Sequence, residues 1–172
     1  MDPGHSALEG FALLGPFLIQ CANMPSDNFD PTCIFCKILR NPAENDIVYE
    51  DDYSLAFLDH RPLFPGHCLV IPKSHLETIH DLPHPLLAPF FSTIEMLAAA
   101  VERAMQAQGT FIATNNRVSQ SVPHFHVHVV PRNKGDGLRG FFWPRGKYKT
   151  QEEIAGVVGA LRSAIADVQK RP

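Results

Sequence analysis

The chain has 172 residues, enough for one domain whose hydrophobic core needs no disulfide framework. Its 15 basic and 18 acidic residues give a formal charge of -3, which excludes the strongly basic surface expected of a general nucleic-acid binder. Two of the four cysteines, Cys33 and Cys36, have the spacing of a metal site or a redox pair. This spacing favours a reducing, cytoplasmic location over a secreted one.

Residues 1–29 are expected to form an N-terminal extension to a domain at 30–172, and to be either not native or poorly ordered. Residues 8–22 form an apolar run, but it is shorter than a membrane-spanning helix and a glycine–proline pair interrupts it. No basic segment precedes the run, as one would in a secretory signal. We therefore expect no membrane segment, and we interpret residues 1–23 as an appendage or a mis-assigned start.

The remaining chain predicts an α+β fold with a five-stranded antiparallel sheet. In chain order the predicted elements are a helix at 33–40, strands at 47–50, 53–59 and 67–72, a long helix at about 85–108, strands at 109–116 and 121–132, and a helix at 151–169. The strands are rich in β-branched and aromatic residues, whereas apolar residues recur at helical spacing in the two long helices. The first long helix should cover one face of the sheet, and a basic loop at 132–149 should precede the C-terminal helix.

Three histidines at every second position dominate the fifth predicted strand. His124, His126 and His128 alternate with apolar residues, which matches the period of an extended strand. Residues on one face of a strand lie about 6.5 Å apart, so the three rings do not easily chelate one ion together. A single histidine here would usually be only a satisfied polar residue, and a histidine-rich run can be a weak metal-binding tract. Three in strict register favour a different role for each.

These histidines and several upstream motifs resemble the histidine triad (HIT) family. The matching motifs are Cys33-x-x-Cys36, Ala56-Phe-Leu-Asp59, Pro65-Gly-His67, Leu69-Val-Ile-Pro-Lys-x-His75 and His124-Phe-His-Val-His-Val-Val-Pro-Arg132. The resemblance, to bacterial Hint-like and Fhit-like members, implies the HIT fold, a homodimer, and enzymes that hydrolyse or transfer nucleotidyl groups. It implies a purine nucleotide as the substrate. Neither a nucleic-acid polymer nor a membrane is expected as a partner.

The resemblance assigns roles to the residues around the histidines. The family's nucleophile is the middle histidine, here His126, and His128 would hold phosphate oxygens. Neutral imidazole attacks an α-phosphorus well, and the cationic phosphoimidazole that results is easily displaced. We expect a backbone carbonyl to fix the tautomer of His126. Ser121 and Gln120 match a Hint-type serine and a Fhit-type glutamine near the leaving group, although without the family each is more simply a solvated or turn residue.

The resemblance also implies a nucleotide pocket. The residues at the matching positions are Asp59, Phe35, Phe57, Leu58, Asn115 and Asn116. The carboxylate would accept hydrogen bonds from the ribose hydroxyls, and its alternative role is that of a strand-end turn residue. The three apolar residues would line the base pocket, or else belong to the core. The two asparagines lie in a loop that is shorter than the family's and lacks its glycines, which leaves open which of them approaches the phosphate.

A further set of side chains resembles the zinc site of some bacterial members of the family. The set is Cys33, Cys36, His75 and His124. Two thiolates and two imidazoles suit tetrahedral Zn2+, and closed sites of this kind are structural. Anchoring His124 in this way would also fix the segment that presents His126. The alternative is a pair of buried thiols beside a hydrogen-bonded histidine.

Together these features predict a nucleotide hydrolase or nucleotidyl transferase that cleaves at an α-phosphorus through a covalent nucleotidyl-His126 intermediate. The expected substrates are dinucleoside polyphosphates or nucleoside phosphoramidates. One alternative is a dinucleoside polyphosphate phosphorylase, and another is a nucleotide-binding module with little turnover. A metal-dependent enzyme that uses all three histidines as ligands is disfavoured by their alternating register and by the lack of an evident carboxylate partner.

Overall fold

The structure, a computed structural model, describes residues 28–138 and 148–169, and in the second range it describes side chains only as far as residue 162. Its main elements are α1 (Ile34–Arg40), β1 (Ile47–Glu50), β2 (Ser54–Leu58), β3 (Cys68–Pro72), α2 (His84–Met105), β4 (Gly109–Ala113), β5 (Val127–Arg132) and α3 (Gln151–Gln169). They confirm the predicted α+β architecture, with a long helix, a five-stranded antiparallel sheet and a C-terminal helix. The predicted extension, apart from its last two residues, and much of the predicted basic loop lie outside the described residues.

The strands form one antiparallel sheet in the order β1-β2-β3-β5-β4. The central strand β3 is buried along its whole length, as its continuous apolar sequence predicts. Directly paired residues on neighbouring strands point to the same face, and His128 of β5 pairs with Leu69 of β3. The face of Leu69 is therefore also the face of His128.

The two faces of the sheet carry separate core clusters. On one face α2 packs through residues such as Phe90, Ile94 and Leu97, which are buried with Val70 and Val129 of the sheet. By length and composition α2 could cross a membrane, but a core helix passes the same test and α2 has this packed face.

The opposite face carries the second cluster, in which Phe35 and Cys36 of α1 are buried against Phe57, Leu69 and Ile71. This is the face of His128, so α1 and the candidate site share one side of the sheet.

Three predicted element ends differ from the structure by three residues or more. β5 begins at Val127 rather than at residue 121, because the Phe125 amide donates to the Leu76 carbonyl (2.5 Å) instead of pairing with a strand. β4 ends at Ala113. α2 ends at Met105, since Gln106 adopts a left-handed conformation with φ of 51°.

The chain forms two compact units, which divide between residues 133 and 134. The first contains the whole sheet with α1 and α2, and the second contains α3. The bounds of α3 agree with the predicted helix at 151–169. Its described side chains are mostly exposed, with Ile154 half-buried.

Candidate active site and metal centre

His126 lies immediately before β5 and is only 3% exposed. Its Nδ1 is 2.6 Å from the carbonyl oxygen of His124. A carbonyl oxygen can only accept, so Nδ1 carries the hydrogen and Nε2 carries the lone pair. Burial lowers the pKa of His126 below its ordinary value, which keeps the ring neutral. The ring is therefore neutral, its tautomer is fixed by a backbone carbonyl as the sequence predicts, and its Nε2 has no partner within the described part of the chain.

His128 has the opposite tautomer, and His67 sets it. The backbone N–H of Leu63 donates to Nδ1 of His67 at 3.2 Å, so this nitrogen is an acceptor. The proton of His67 then lies on Nε2, which is 3.0 Å from Nδ1 of His128. His128 accepts that hydrogen bond and therefore carries its own proton on Nε2. Burial is the largest of the causes that lower the pKa of His128 to about 4, so at neutral pH it donates as a neutral group.

The two rings thus offer complementary chemistry within a short distance. Their centroids are 5.1 Å apart. His126 presents a lone pair at Nε2, and His128 presents an N–H at the same ring position. The lone pair of His126 can attack an electrophilic phosphorus while the N–H of His128 donates to a phosphate oxygen.

The residues predicted for the nucleotide pocket surround this pair only in part. Asp59 is beside it: its Oδ2 lies 3.6 Å from Nδ1 of His67, and its Oδ1 accepts from the Arg61 amide at 2.8 Å. Phe35 packs edge-on against His126, with ring centroids 5.2 Å apart, and also against Phe57 at 5.4 Å. Both phenylalanines belong to the buried core cluster.

Leu58 is the exposed member of the predicted apolar set, at 39% exposure. It ends β2 and precedes the carboxylate at position 59. Its side chain is therefore accessible to a ligand, unlike those of the two phenylalanines.

Three amide side chains hold the loop at 114–121 together. Gln120 donates to the Glu77 carbonyl at 2.6 Å and accepts from the Arg117 amide at 2.8 Å. Asn115 and Asn116 also bond to backbone atoms, at 3.1 and 3.3 Å. Asparagine and glutamine side chains often bond to nearby backbone atoms in turns and loops. These contacts therefore match the role expected from the residue types alone, without the family resemblance.

Ser121, at the end of this loop, is exposed. The loop and its contacts do not test the leaving-group roles of Ser121 and Gln120 or the phosphate-binding role of the two asparagines, which stay predictions.

The predicted zinc ligands converge on one point. Their four ligand atoms all lie within 4.8 Å of one another. Cys36 Sγ is 3.3 Å from Nδ1 of His75 and 3.6 Å from Nδ1 of His124, and Cys33 Sγ is 3.6 Å from the same His124 atom. In a tetrahedral zinc site the sulfur-to-nitrogen edge is about 3.6 Å, given Zn–S near 2.3 Å and Zn–N near 2.05 Å. These three sulfur-to-nitrogen distances are therefore compatible with tetrahedral Zn2+.

The outer nitrogens of both histidines in this cluster have oxygen partners. Nε2 of His124 is 3.0 Å from the Pro72 carbonyl, and Nε2 of His75 is 4.0 Å from a carboxylate oxygen of Asp30. Thr32 bonds to the other oxygen of that carboxylate. The Pro72 carbonyl fixes Nε2–H of His124 and leaves its Nδ1 for a metal, as second-shell groups do in zinc proteins. The Asp30 carboxylate lies beside His75 as a charge, too far away for a hydrogen bond.

Protonation in the cluster agrees with this geometry. Burial lowers the pKa of His124 to about 4, so its ring is a neutral ligand. Burial likewise raises the pKa of the Cys36 thiol to about 11, so a cation is needed to hold the thiolate at neutral pH.

Two side chains that contact the site, His67 and Asp30, are not among the site residues that the sequence predicts. Gly66, just before His67, has φ of 89° and marks a turn that brings His67 to β5. The motif glycine was the only signal for His67, and no sequence spacing signals the contact between Asp30 and His75.

Comparisons with known proteins identify the family of this chain. The family model described as the HIT domain matches residues 40–135. Protein hit of Bacillus subtilis is 40% identical over 137 residues, covering 78% of this chain and 94% of that protein. The adenylylsulfatase HINT3 of Arabidopsis thaliana is 34% identical over 150 residues, covering 83% and 74%. The adenosine 5'-monophosphoramidase HNT1 of Saccharomyces cerevisiae is 34% identical over 126 residues, covering 72% and 77%.

Solved structures give the same result. A crystal structure of a HIT family protein from Bacillus subtilis superposes with a TM-score of 0.70 at 32% identity, covering 77% of this chain and 96% of that one. A Zn-bound histidine triad family protein from Mycobacterium smegmatis has a TM-score of 0.59 at 35% identity, covering 80% and 96%. With a family model matched over more than half of its length and relatives at 34–40% identity, the chain is therefore a member of the histidine triad (HIT) family.

Proposed function

We propose that this protein is a nucleotide hydrolase or nucleotidyl transferase that cleaves at an α-phosphorus through a nucleotidyl-His126 intermediate. The observation that carries the proposal is the hydrogen bond from Nδ1 of His126 to the His124 carbonyl. It leaves the Nε2 lone pair free on a ring that burial keeps neutral. The relatives of this chain include proteins named as a phosphoramidase and an adenylylsulfatase, which supports nucleotide hydrolysis as the general activity.

The reaction proceeds in two displacements. Nε2 of His126 forms a bond to the α-phosphorus, and the leaving group departs with the electron pair of its own bond to phosphorus and takes up a proton. The Nε2–H of His128 donates to a phosphate oxygen as charge builds there. Water then attacks the phosphorus, the P–N bond returns its electrons to His126, and a nucleoside monophosphate and a proton leave.

An adenosine phosphoramidate is the first substrate to test, with dinucleoside polyphosphates as the second class. The names of two relatives both describe adenosine monophosphate joined to a small leaving group, an amine in one case and sulfate in the other. Asp59 is placed beside His67 and His128, where Oδ2 is available to a ribose hydroxyl. The exposed Leu58 next to it offers an apolar surface for a purine base.

The test is to trap the intermediate. The protein is mixed with adenosine 5'-phosphoramidate or a diadenosine polyphosphate. The reaction is quenched in alkali because phosphoimidazoles are acid-labile, and the mass of the intact protein is measured by mass spectrometry. We expect an adenylyl adduct that maps to His126 and is absent from His126→Ala. Undiminished turnover in His126→Ala would overturn the mechanism. Formation of a nucleoside diphosphate when phosphate is added would identify a phosphorylase, and bound nucleotide without turnover would identify a binding module.

We further propose that Cys33, Cys36, His75 and His124 hold a structural Zn2+. The match between the sulfur-to-nitrogen distances and a tetrahedral edge supports this. With four protein ligands the ion would supply stability and no open position for substrate. Metal analysis of protein purified without chelator should give one zinc per chain, and full activity after complete metal removal would be consistent with that structural role.

A homodimer is the proposed assembly. β4 is an edge strand of the five-stranded sheet, and its Ile112 is 47% exposed. Such an edge offers unpaired backbone groups to a second strand. Light scattering after gel filtration should give twice the chain mass of 19.1 kDa, and a monomer at micromolar concentration would contradict the proposal.

A further inference from the structure

Thr114 makes a hydrogen bond to the backbone of the proposed nucleophile. It is the first residue after β4, and its hydroxyl donates to the carbonyl oxygen of His126 at 2.7 Å. The side chain is half-buried, so this bond is partly shielded from water. Nothing in the sequence pattern or in the family motif points to this contact.

The register of the sheet explains why a side chain is needed here. The pairing of β4 with β5 ends at Ala113 and His128, and β5 itself begins only at Val127. The carbonyl of His126 therefore lies just beyond the ladder of main-chain hydrogen bonds. The Thr114 hydroxyl takes the place of the backbone donor that a longer β4 would have supplied.

The loop that follows Thr114 is held by other contacts. Arg117 and Ser119 have left-handed backbones, with φ of 70° and 61°, and the side-chain amide of Gln120 bonds to Glu77 and Arg117. Thr114 joins the start of this loop to the backbone of His126. His126 is thus held at two points, its ring by the His124 carbonyl and its own carbonyl by Thr114.

We propose that Thr114 is a positioning residue for the reaction: its hydroxyl fixes the backbone of His126 and so the direction in which Nε2 meets the phosphorus. The inference rests on the proposed function, because it requires His126 to be the nucleophile. A nucleophile held in its attacking geometry avoids the entropic cost of finding it, and a misplacement of about 1 Å can cost about a hundredfold in rate. Thr114 itself does not touch the reacting atoms.

The test compares Thr114→Val, which keeps the shape and loses the hydroxyl, with Thr114→Ser, which keeps the hydroxyl. The rate of adduct formation is measured by rapid quench in a single turnover, and nucleoside monophosphate affinity is measured alongside. We expect Thr114→Val to form the adduct about tenfold more slowly, the equivalent of one lost hydrogen bond, with affinity unchanged within about twofold. Thr114→Ser should remain within about threefold of the natural protein.

Two outcomes overturn the inference: an unchanged adduct rate in Thr114→Val, or an equal slowing in Thr114→Val and Thr114→Ser. If Thr114→Val does not fold, Thr114→Ala replaces it, and the same comparison with Thr114→Ser decides. Absence of any adduct from the natural protein is a failure of the proposed function. An adduct that forms equally fast in the natural protein and in Thr114→Val is a failure of this inference alone.

Discussion

The cysteine–histidine cluster (Cys33, Cys36, His75 and His124) and the histidine pair (His126 and His128) meet at residues 124–128 but use their imidazoles in opposite ways. In the cluster each ring has Nδ1 near a thiol and Nε2 near an oxygen. In the histidine pair each ring has one bonded nitrogen, and Nε2 has no partner within the described part of the chain. The acceptor or donor that the fold places beside each ring decides whether a histidine is closed to substrate or available to it.

His126→Ala should separate the two regions most strongly. Turnover should fall by about a thousandfold or more, because no other group can form the intermediate. Zinc content and the thermal midpoint should stay near those of the natural protein, since the cluster is intact. Steady-state kinetics and metal analysis check this, with the exposed His84→Ala as the matched control. Loss of zinc in His126→Ala would show that the two regions are not separable.

Cys36→Ser should break the other region. Removing one thiolate should release the metal and lower the free energy of unfolding by about 3 kcal/mol or more, as loss of a structural metal does. Metal analysis and chemical denaturation measure the effect. Cys68→Ser is the control, since Cys68 is a buried cysteine in the α2-side core cluster. Equal loss of zinc in both variants would contradict the assignment of ligands.

His67→Leu tests whether the tautomer of His128 matters. Without the donor at Nε2 of residue 67, the proton of His128 can move to Nδ1 and the N–H at Nε2 is lost. Turnover should fall by about a hundredfold with nucleotide affinity little changed. His67→Gln, whose amide can still donate, should recover most of the rate. If His67→Gln were no better than His67→Leu, the hydrogen bond would not be the cause.

Asp30→Asn should have a smaller effect, confined to the metal. The substitution removes the charge beside Nε2 of His75 while keeping the size of the side chain. The zinc dissociation constant should rise about tenfold, as is found for second-shell carboxylates. Competition with a chromophoric chelator measures it, with the exposed Asp52→Asn as control. An unchanged dissociation constant would remove Asp30 from the site.

The last prediction concerns acid stability. The pKa of His128 is lowered from 6.5 to about 4 by burial first, and then by the neighbouring His126 and His67, while Asp59 acts in the other direction. Below pH 6.5 the unfolded chain binds a proton that the folded chain does not, so stability falls as the pH falls from 6.5 towards 4. Denaturation curves between pH 7 and 4.5 should be less steeply pH-dependent for His128→Asn. Identical slopes in the two proteins would contradict this.

The sequence predicted what is periodic or local. The bounds predicted for α3 and β1 are those that the structure shows. The start of β5 was predicted wrongly. The hydrogen bond from the Phe125 amide to the Leu76 carbonyl is a tertiary contact, and it overrides the alternating sequence pattern.

The same division holds for the site. The family motif identifies the three histidines in the sequence. Their tautomers follow only from the hydrogen-bond partners that the structure shows. His67 reaches His128 across 61 positions of sequence, and no periodicity encodes that pairing. The Thr114 contact depends on where β4 leaves the sheet, which is a property of register and not of residue type.

The turn at Gly66 limits how this protein can be changed. Its φ of 89° disfavours any side chain, and a Cβ there would lie 2.5 Å from Cγ of Met105 at the end of α2. Substitution would strain the turn that carries His67 and displace the last residue of the long helix at the same time. A laboratory evolution experiment that seeks new leaving groups should therefore leave Gly66 unchanged.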